Sequence, residues 1–114
     1  RDALVGIALF LTHFSNLNMK MTELKNSLPV YYMSKSKVKL GVGVKLEEIL
    51  KSMRDKYSEE EINTLDGLKI DFKDSWVHLR KSNTEPIIRI YSEAKSQNEA
   101  NLLTEKFVSE INKY

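Results

Sequence analysis

The sequence predicts an α+β domain, an antiparallel sheet covered on one face by two helices in the order β-α-β-β-β-β-α, with a helical segment ahead of it. Three observations carry that prediction. Apolar residues recur at helical spacing over Lys45–Tyr57 and at every second position in the strands that follow it. Asp66-Gly67 is the strongest hairpin dipeptide in the chain. Ser96 and Glu99 stand at capping-box spacing ahead of a last helical stripe. A length of 114 residues allows one small domain and a remnant of another. Two helices over one sheet face supply enough core for such a domain, with little to spare.

The chain opens with an apolar run, Leu4 to Leu11. That is too short for a bilayer span, which needs about 20 apolar residues. It has the length of a signal-peptide core, yet Asp2 precedes it and no small-residue cleavage site follows. As a helix it carries Leu4, Ile7, Ala8, Leu11 and Phe14 on one side and Val5, Leu9 and Phe10 on the other. A helix apolar nearly all round belongs inside a larger domain. Residues 1–35 are therefore read as the helical tail of a preceding domain plus linker, and the chain as a piece of a longer protein. Within this tail a second helix is expected over Thr22–Leu28, with Thr22 as N-cap and Pro29 ending it.

The domain proper is expected over 36–114. Alternation from Tyr31 to Leu40 marks the first strand, with Val38 and Leu40 inward and Lys35, Lys37 and Lys39 outward, the pattern of a solubilising edge. A helix follows over Lys45–Tyr57, burying Leu46, Ile49, Leu50, Met53 and Tyr57. Ser58 with Glu61 is read as capping a last helical turn. Ile62–Leu65 is the next strand, and Leu68, Ile70 and Phe72 alternate with Lys69, Asp71 and Lys73 in the one after it. Asp74-Ser75 turns the chain into a strand over Trp76–Arg80, and Ile87–Ala94 is the last strand. The final helix carries Ala100, Leu103, Phe107 and Ile111 along one face.

Charge and composition narrow the function. Charged residues make up 30% of the chain, and the formal net charge is only +2. That balance argues against a large nucleic-acid footprint, which needs a clustered basic face. There is no cysteine, hence no disulfide framework and no thiolate metal site, which is compatible with a reducing, cytoplasmic setting.

Chemistry concentrates between the last two strands, in Arg80-Lys81-Ser82-Asn83-Thr84-Glu85-Pro86. Pro86 lacks an N–H and keeps Glu85 out of the helical region, so the loop stays open. Backbone N–H groups and the Ser82 and Thr84 hydroxyls can then converge on an anion, and Arg80 supplies a planar, permanent charge suited to phosphate. From composition alone a merely polar hairpin turn is the favoured reading of the stretch.

The run Arg80-x-Ser82-Asn83-Thr84-Glu85-Pro86, followed by Ile88-Arg89-Ile90-Tyr91-x-Glu93-Ala94, resembles the phosphate-binding loop of the α-D-phosphohexomutases. Asp66-Gly67-Leu68-Lys69-Ile70-Asp71-Phe72 and Trp76-Val77 are similar to the same family's final domain. The resemblance covers about residues 36–114. It implies a TATA-binding-protein-like fold and makes 1–35 the tail of the third mutase domain. It implies an enzyme that moves phosphate between the 1- and 6-positions of a hexose through a phosphoserine and a bisphosphorylated intermediate. Arg80, Ser82, Asn83 and Thr84 then match the positions that grip the non-reacting phosphate. The catalytic serine loop and the loop that binds Mg2+ precede the region present here, so this piece alone is expected to be inactive. The implied partners are a phosphorylated hexose and the remaining domains of the same enzyme, with neither nucleic acid nor membrane. Asn83 stands where phosphoglucosamine mutases commonly have glycine, which points towards the phosphoglucomutase/phosphomannomutase group.

Lys81 is expected either to add charge to the loop or to face water, and Arg89 either to turn to the anion or to lie opposite a carboxylate. His13 and His78 lack the spaced carboxylate partners of a zinc site. Trp76 and Tyr91 read as base-stacking platforms or as cross-strand packing. Two further functions stay open: a nucleic-acid-binding module, which requires a basic, aromatic sheet face, and a structural or interaction domain without an anion site.

Overall fold

The computed structural model describes residues 2–41, 43–82 and 84–114. The chain divides into two compact units, Arg1–Val30 and Tyr31–Tyr114. The first holds two helices, α1 (Ala3–Leu17) and α2 (Met21–Ser27). Asp2 caps α1 by accepting the Leu4 and Val5 N–H groups at 2.9 and 3.3 Å. Asn18 ends it in the left-handed region at φ 48°. None of the α1 side chains is buried, and Leu4 is 76% exposed. The second helix begins one residue earlier than expected. Its N-cap is Lys20, whose N–H is held by the Glu23 carboxylate at 2.6 Å, so Thr22 lies inside the first turn.

The second unit has the expected order: β1 (Tyr32–Lys39), α3 (Leu46–Lys56), β2 (Glu61–Asn63), β3 (Leu68–Asp71), β4 (Trp76–Lys81), β5 (Ile87–Ala94) and α4 (Gln97–Ile111). The five strands form one antiparallel sheet in the order β1-β5-β4-β3-β2. Four strands thus follow one another as a meander, and β1 closes onto β5 as the outer edge. Because β1 pairs from Tyr32 onward with Ala94 and its predecessors, the sheet begins before residue 36.

Alternation along the strands separates two faces. Val38, Leu68, Ile70, Val77, Leu79, Ile88 and Ile90 point to one side, where Leu46, Ile49 and Met53 of α3 and Phe107 and Ile111 of α4 pack on them. Each such side chain contributes about 1.5–3 kcal/mol on burial. Met53 is 2% exposed and fills the core as expected. The stripe of α4 is rotated from the predicted one, because Thr104 is buried and Leu103 only partly so. Ser92 Oγ donates to the Ala100 carbonyl at 2.8 Å, so the Thr104 hydroxyl, 2.6 Å away, donates to Ser92. The exchange satisfies two buried hydroxyls that an apolar count passes over.

Two local expectations change. The first meander strand is Glu61–Asn63 instead of Ile62–Leu65, and Leu65 is 94% exposed in the turn. Glu61 therefore belongs to the sheet and not to a helix cap with Ser58. The Asp66-Gly67 turn is present, and Gly67 is required there twice over. Its φ is +84°, and a Cβ at this position would lie 2.2 Å from the Leu79 carbonyl oxygen.

Candidate functional site

The open face of the sheet carries the residues that the helices leave uncovered. In β4 the alternation that buries Val77 and Leu79 turns Trp76, His78 and Arg80 outward. Registers then define rows across the strands. One row is Met33, Glu93, Trp76, Asp71 and Glu61; the next is Lys35, Tyr91, His78, Lys69 and Asn63. The row that crosses three strands nearest the β4–β5 loop is Lys37, Arg89 and Arg80, with the Lys39–Ile87 pair between it and the loop. Acidic side chains gather at the far end and cations at the loop end. A net charge of +2 conceals this sorting.

Arg80 reaches back to the β2–β3 turn, where its Nη2 lies 2.7 Å from Asp66 Oδ2. The Asp66 carbonyl also lies 2.6 Å from His78 Nε2. A carbonyl only accepts, so Nε2 carries the proton. The turn that Gly67 makes possible is thus fastened to β4 at two points. Lys81 continues the alternation to the helix side, and its Nζ stands 3.9 Å from Glu47 in the first turn of α3. It is not on the face of Arg80.

The loop itself is pinned at both ends. Ser82 N–H donates to the Ile87 carbonyl at 3.1 Å, and the Pro86 carbonyl accepts from Leu40 N–H at 2.9 Å. Ser82 is buried, and its Oγ accepts from Thr84 N–H at 3.4 Å with the Thr84 hydroxyl at the same distance. Both hydroxyls therefore stand together beside the last residue of β4. Asn83 lies outside the described residues. Arg89 does not face a carboxylate: its partners in register are Arg80 and Lys37. Arg89, Lys37 and Lys35 line an open basin with Glu85, Ile87 and Tyr91. Spacing within one strand gave no sign of Lys37 or of Asp66, since both arrive through pairing.

His13 is exposed on α1. Each of the two aromatic rings on the sheet has a lysine over it, Tyr91 with Lys35 Nζ at 5.8 Å and Trp76 with Lys69 Nζ at 5.3 Å. Trp76 Nε1 further donates to Glu93 at 3.0 Å. Among the described residues no group of three or more His, Cys, Asp or Glu is placed to hold a metal ion. Among them, too, no helix is long and apolar enough to cross a membrane.

Residues 17–110 match the family model for the phosphoglucomutase/phosphomannomutase C-terminal domain. The chain is 47% identical over 105 residues to a phosphoglucosamine/phosphogalactosamine mutase of Sulfurisphaera tokodaii, covering 90% of this chain and 23% of that protein. It is 39% identical over 105 residues to a phosphoglucomutase/phosphomannomutase of Thermococcus kodakarensis, covering 88% and 22%. A solved phosphoglucomutase/phosphomannomutase family protein from Burkholderia thailandensis superposes with a TM-score of 0.57 at 28% identity, over 78% of this chain and 19% of that one. The chain thus spans less than a quarter of the length of these relatives. Their names fall in both sugar groups.

Proposed function

Since the chain belongs to the phosphoglucomutase/phosphomannomutase C-terminal domain family, we propose that it grips the non-reacting phosphate of a phosphorylated hexose for a phosphohexomutase. The observation that carries this reading is that Arg80 and Arg89 stand opposite each other in register, with the Ser82–Thr84 hydroxyl pair following Arg80 at the end of β4. Arg80 offers a guanidinium fork to phosphate oxygens, Ser82 and Thr84 offer short neutral donors, and Arg89 adds a second guanidinium from the facing strand. Asn83 is assigned to the same grip from its position in the motif.

A clamp of this kind reads a dianion and little else. A sugar phosphorylated at either end fits it, which a reaction that turns its intermediate around requires. Binding energy gained at the remote phosphate orients the reacting end. Phosphoryl transfer itself and Mg2+ are assigned to other domains of the same enzyme. Among the described residues no cluster is placed to hold a metal ion, and no step is assigned to an ion at this site.

The reading is tested by titrating the chain with glucose 6-phosphate, glucose 1-phosphate and glucose while following backbone amide signals by NMR. Both phosphates are expected to shift the Ser82 and Thr84 amides saturably, and glucose is expected to leave them in place. Equal response to all three sugars, or shifts confined to other parts of the sheet, overturns it.

A further inference from the structure

We propose that Lys37 is a third cation of the phosphate site, reaching the bound dianion from the edge strand beside Arg89 and Arg80. The inference rests on the phosphate-binding reading above and adds a residue to it. β1 pairs with β5 so that Lys37 faces Arg89, and β5 pairs with β4 so that Arg89 faces Arg80. Like charges directly opposite one another destabilise a sheet. A row of three is therefore costly unless an anion lies over it.

The protein's own carboxylates do not supply that anion. Arg80 has Asp66 at 2.7 Å, whereas among the described residues neither Arg89 nor Lys37 is paired with a carboxylate. Glu85 lines the same basin without pairing with either. Lys37 thus brings a free charge to the loop end of the open face.

Lysines on an edge strand also discourage edge-to-edge pairing, and Lys35, Lys37 and Lys39 all serve that purpose. Position separates the two roles. Lys35 sits one row further from the loop, over the Tyr91 ring. Edge protection makes Lys35 and Lys37 equivalent, and a phosphate site does not.

The test titrates the chain with inorganic phosphate at constant ionic strength, at a pH where the dianion predominates, with amide shifts as the readout. Lys37→Met is expected to weaken binding about three- to tenfold, the range for an exposed charge contacting an anion. Lys37→Arg is expected to restore it, and Lys35→Met to change it less than about twofold. Lys37 is exposed, and a thermal melt of each variant verifies folding. If Arg80→Met loses phosphate while Lys37→Met binds like the wild type, or if Lys35→Met and Lys37→Met lose equally, this inference is overturned and the loop reading stands. If the wild-type chain does not bind phosphate, or Arg80→Met binds as it does, the loop reading falls and the inference with it.

Discussion

Arg80 Nη2 lies 2.7 Å from Asp66 Oδ2, so the arginine offered to an anion is already held by a carboxylate from the neighbouring hairpin turn. Both side chains are well exposed, at 42% and 66%. A pair this exposed is worth only about 0.2–1 kcal/mol, less than a charge-assisted bond to phosphate, so on the proposed reading an anion is expected to displace Asp66. Asp66→Asn removes a negative charge beside the site while keeping the turn. It is expected to tighten phosphate binding about two- to fivefold at low salt, as measured by amide titration. Weaker binding would show that Asp66 acts mainly by holding the guanidinium in place.

In a phosphohexomutase carrying this domain, as proposed, Arg80→Lys is expected to lower kcat/KM roughly tenfold to a hundredfold, because an ammonium lacks the two-pronged contact and one charge-assisted bond is worth about 1.5–3 kcal/mol. Thr84→Val, which deletes one neutral hydroxyl, is expected to cost less. Steady-state kinetics on a phosphorylated hexose, paired with melts of both variants, decide this. Kinetics near those of the wild type for Arg80→Lys would remove the loop from the phosphate grip.

Gly67→Ala is expected to destabilise the domain by about 1–3 kcal/mol, since alanine meets both a positive φ and the Leu79 carbonyl. Urea unfolding measures the loss. The same substitution moves the Asp66 carbonyl and carboxylate, and so is also expected to disturb the His78 signals.

A partly buried contact joins the C-terminal ends of α3 and α4. Tyr57 OH donates to Glu110 Oε1 at 2.9 Å, and Lys56 Nζ lies 2.7 Å from the same oxygen. Burial alone would raise the Glu110 pKa. Hydrogen bonds from Lys56 and Tyr57, with the charges of Lys56 and Lys106, outweigh it and hold the carboxyl below its usual range. Tyr57 is pushed well above its ordinary value by burial, and then by the Glu110 carboxylate.

Glu110 therefore contributes stability that is present above the unfolded carboxyl pKa of about 4.3 and lost as pH falls through the lower folded value. Tyr57 contributes stability that is present below about 10 and lost as pH rises through its higher folded value. Tyr57→Phe is expected to cost about 1–2 kcal/mol near neutrality, because the buried carboxylate loses a donor, and to flatten the alkaline loss. Urea midpoints followed from acid to alkaline pH check both limbs.

Within the chain, periodicity alone determined the kind and order of the elements. Leu46, Ile49 and Met53 announce α3 and Ser96 with Glu99 announces α4, because helix period and capping are set by residues three or four apart. The Ser82–Pro86 loop is equally legible, since its turn chemistry lies in consecutive residues. Only the tertiary structure decided which distant residues share a row. Lys37 meets Arg89, and Asp66 meets Arg80, through strand pairing and turn closure between segments far apart in sequence. Register is fixed by burying Val38, Ile88 and Leu79 together under the helices, and a one-residue slip would send each of them to the open face. The partner of each charge on that face follows from this collective choice, which no local pattern contains.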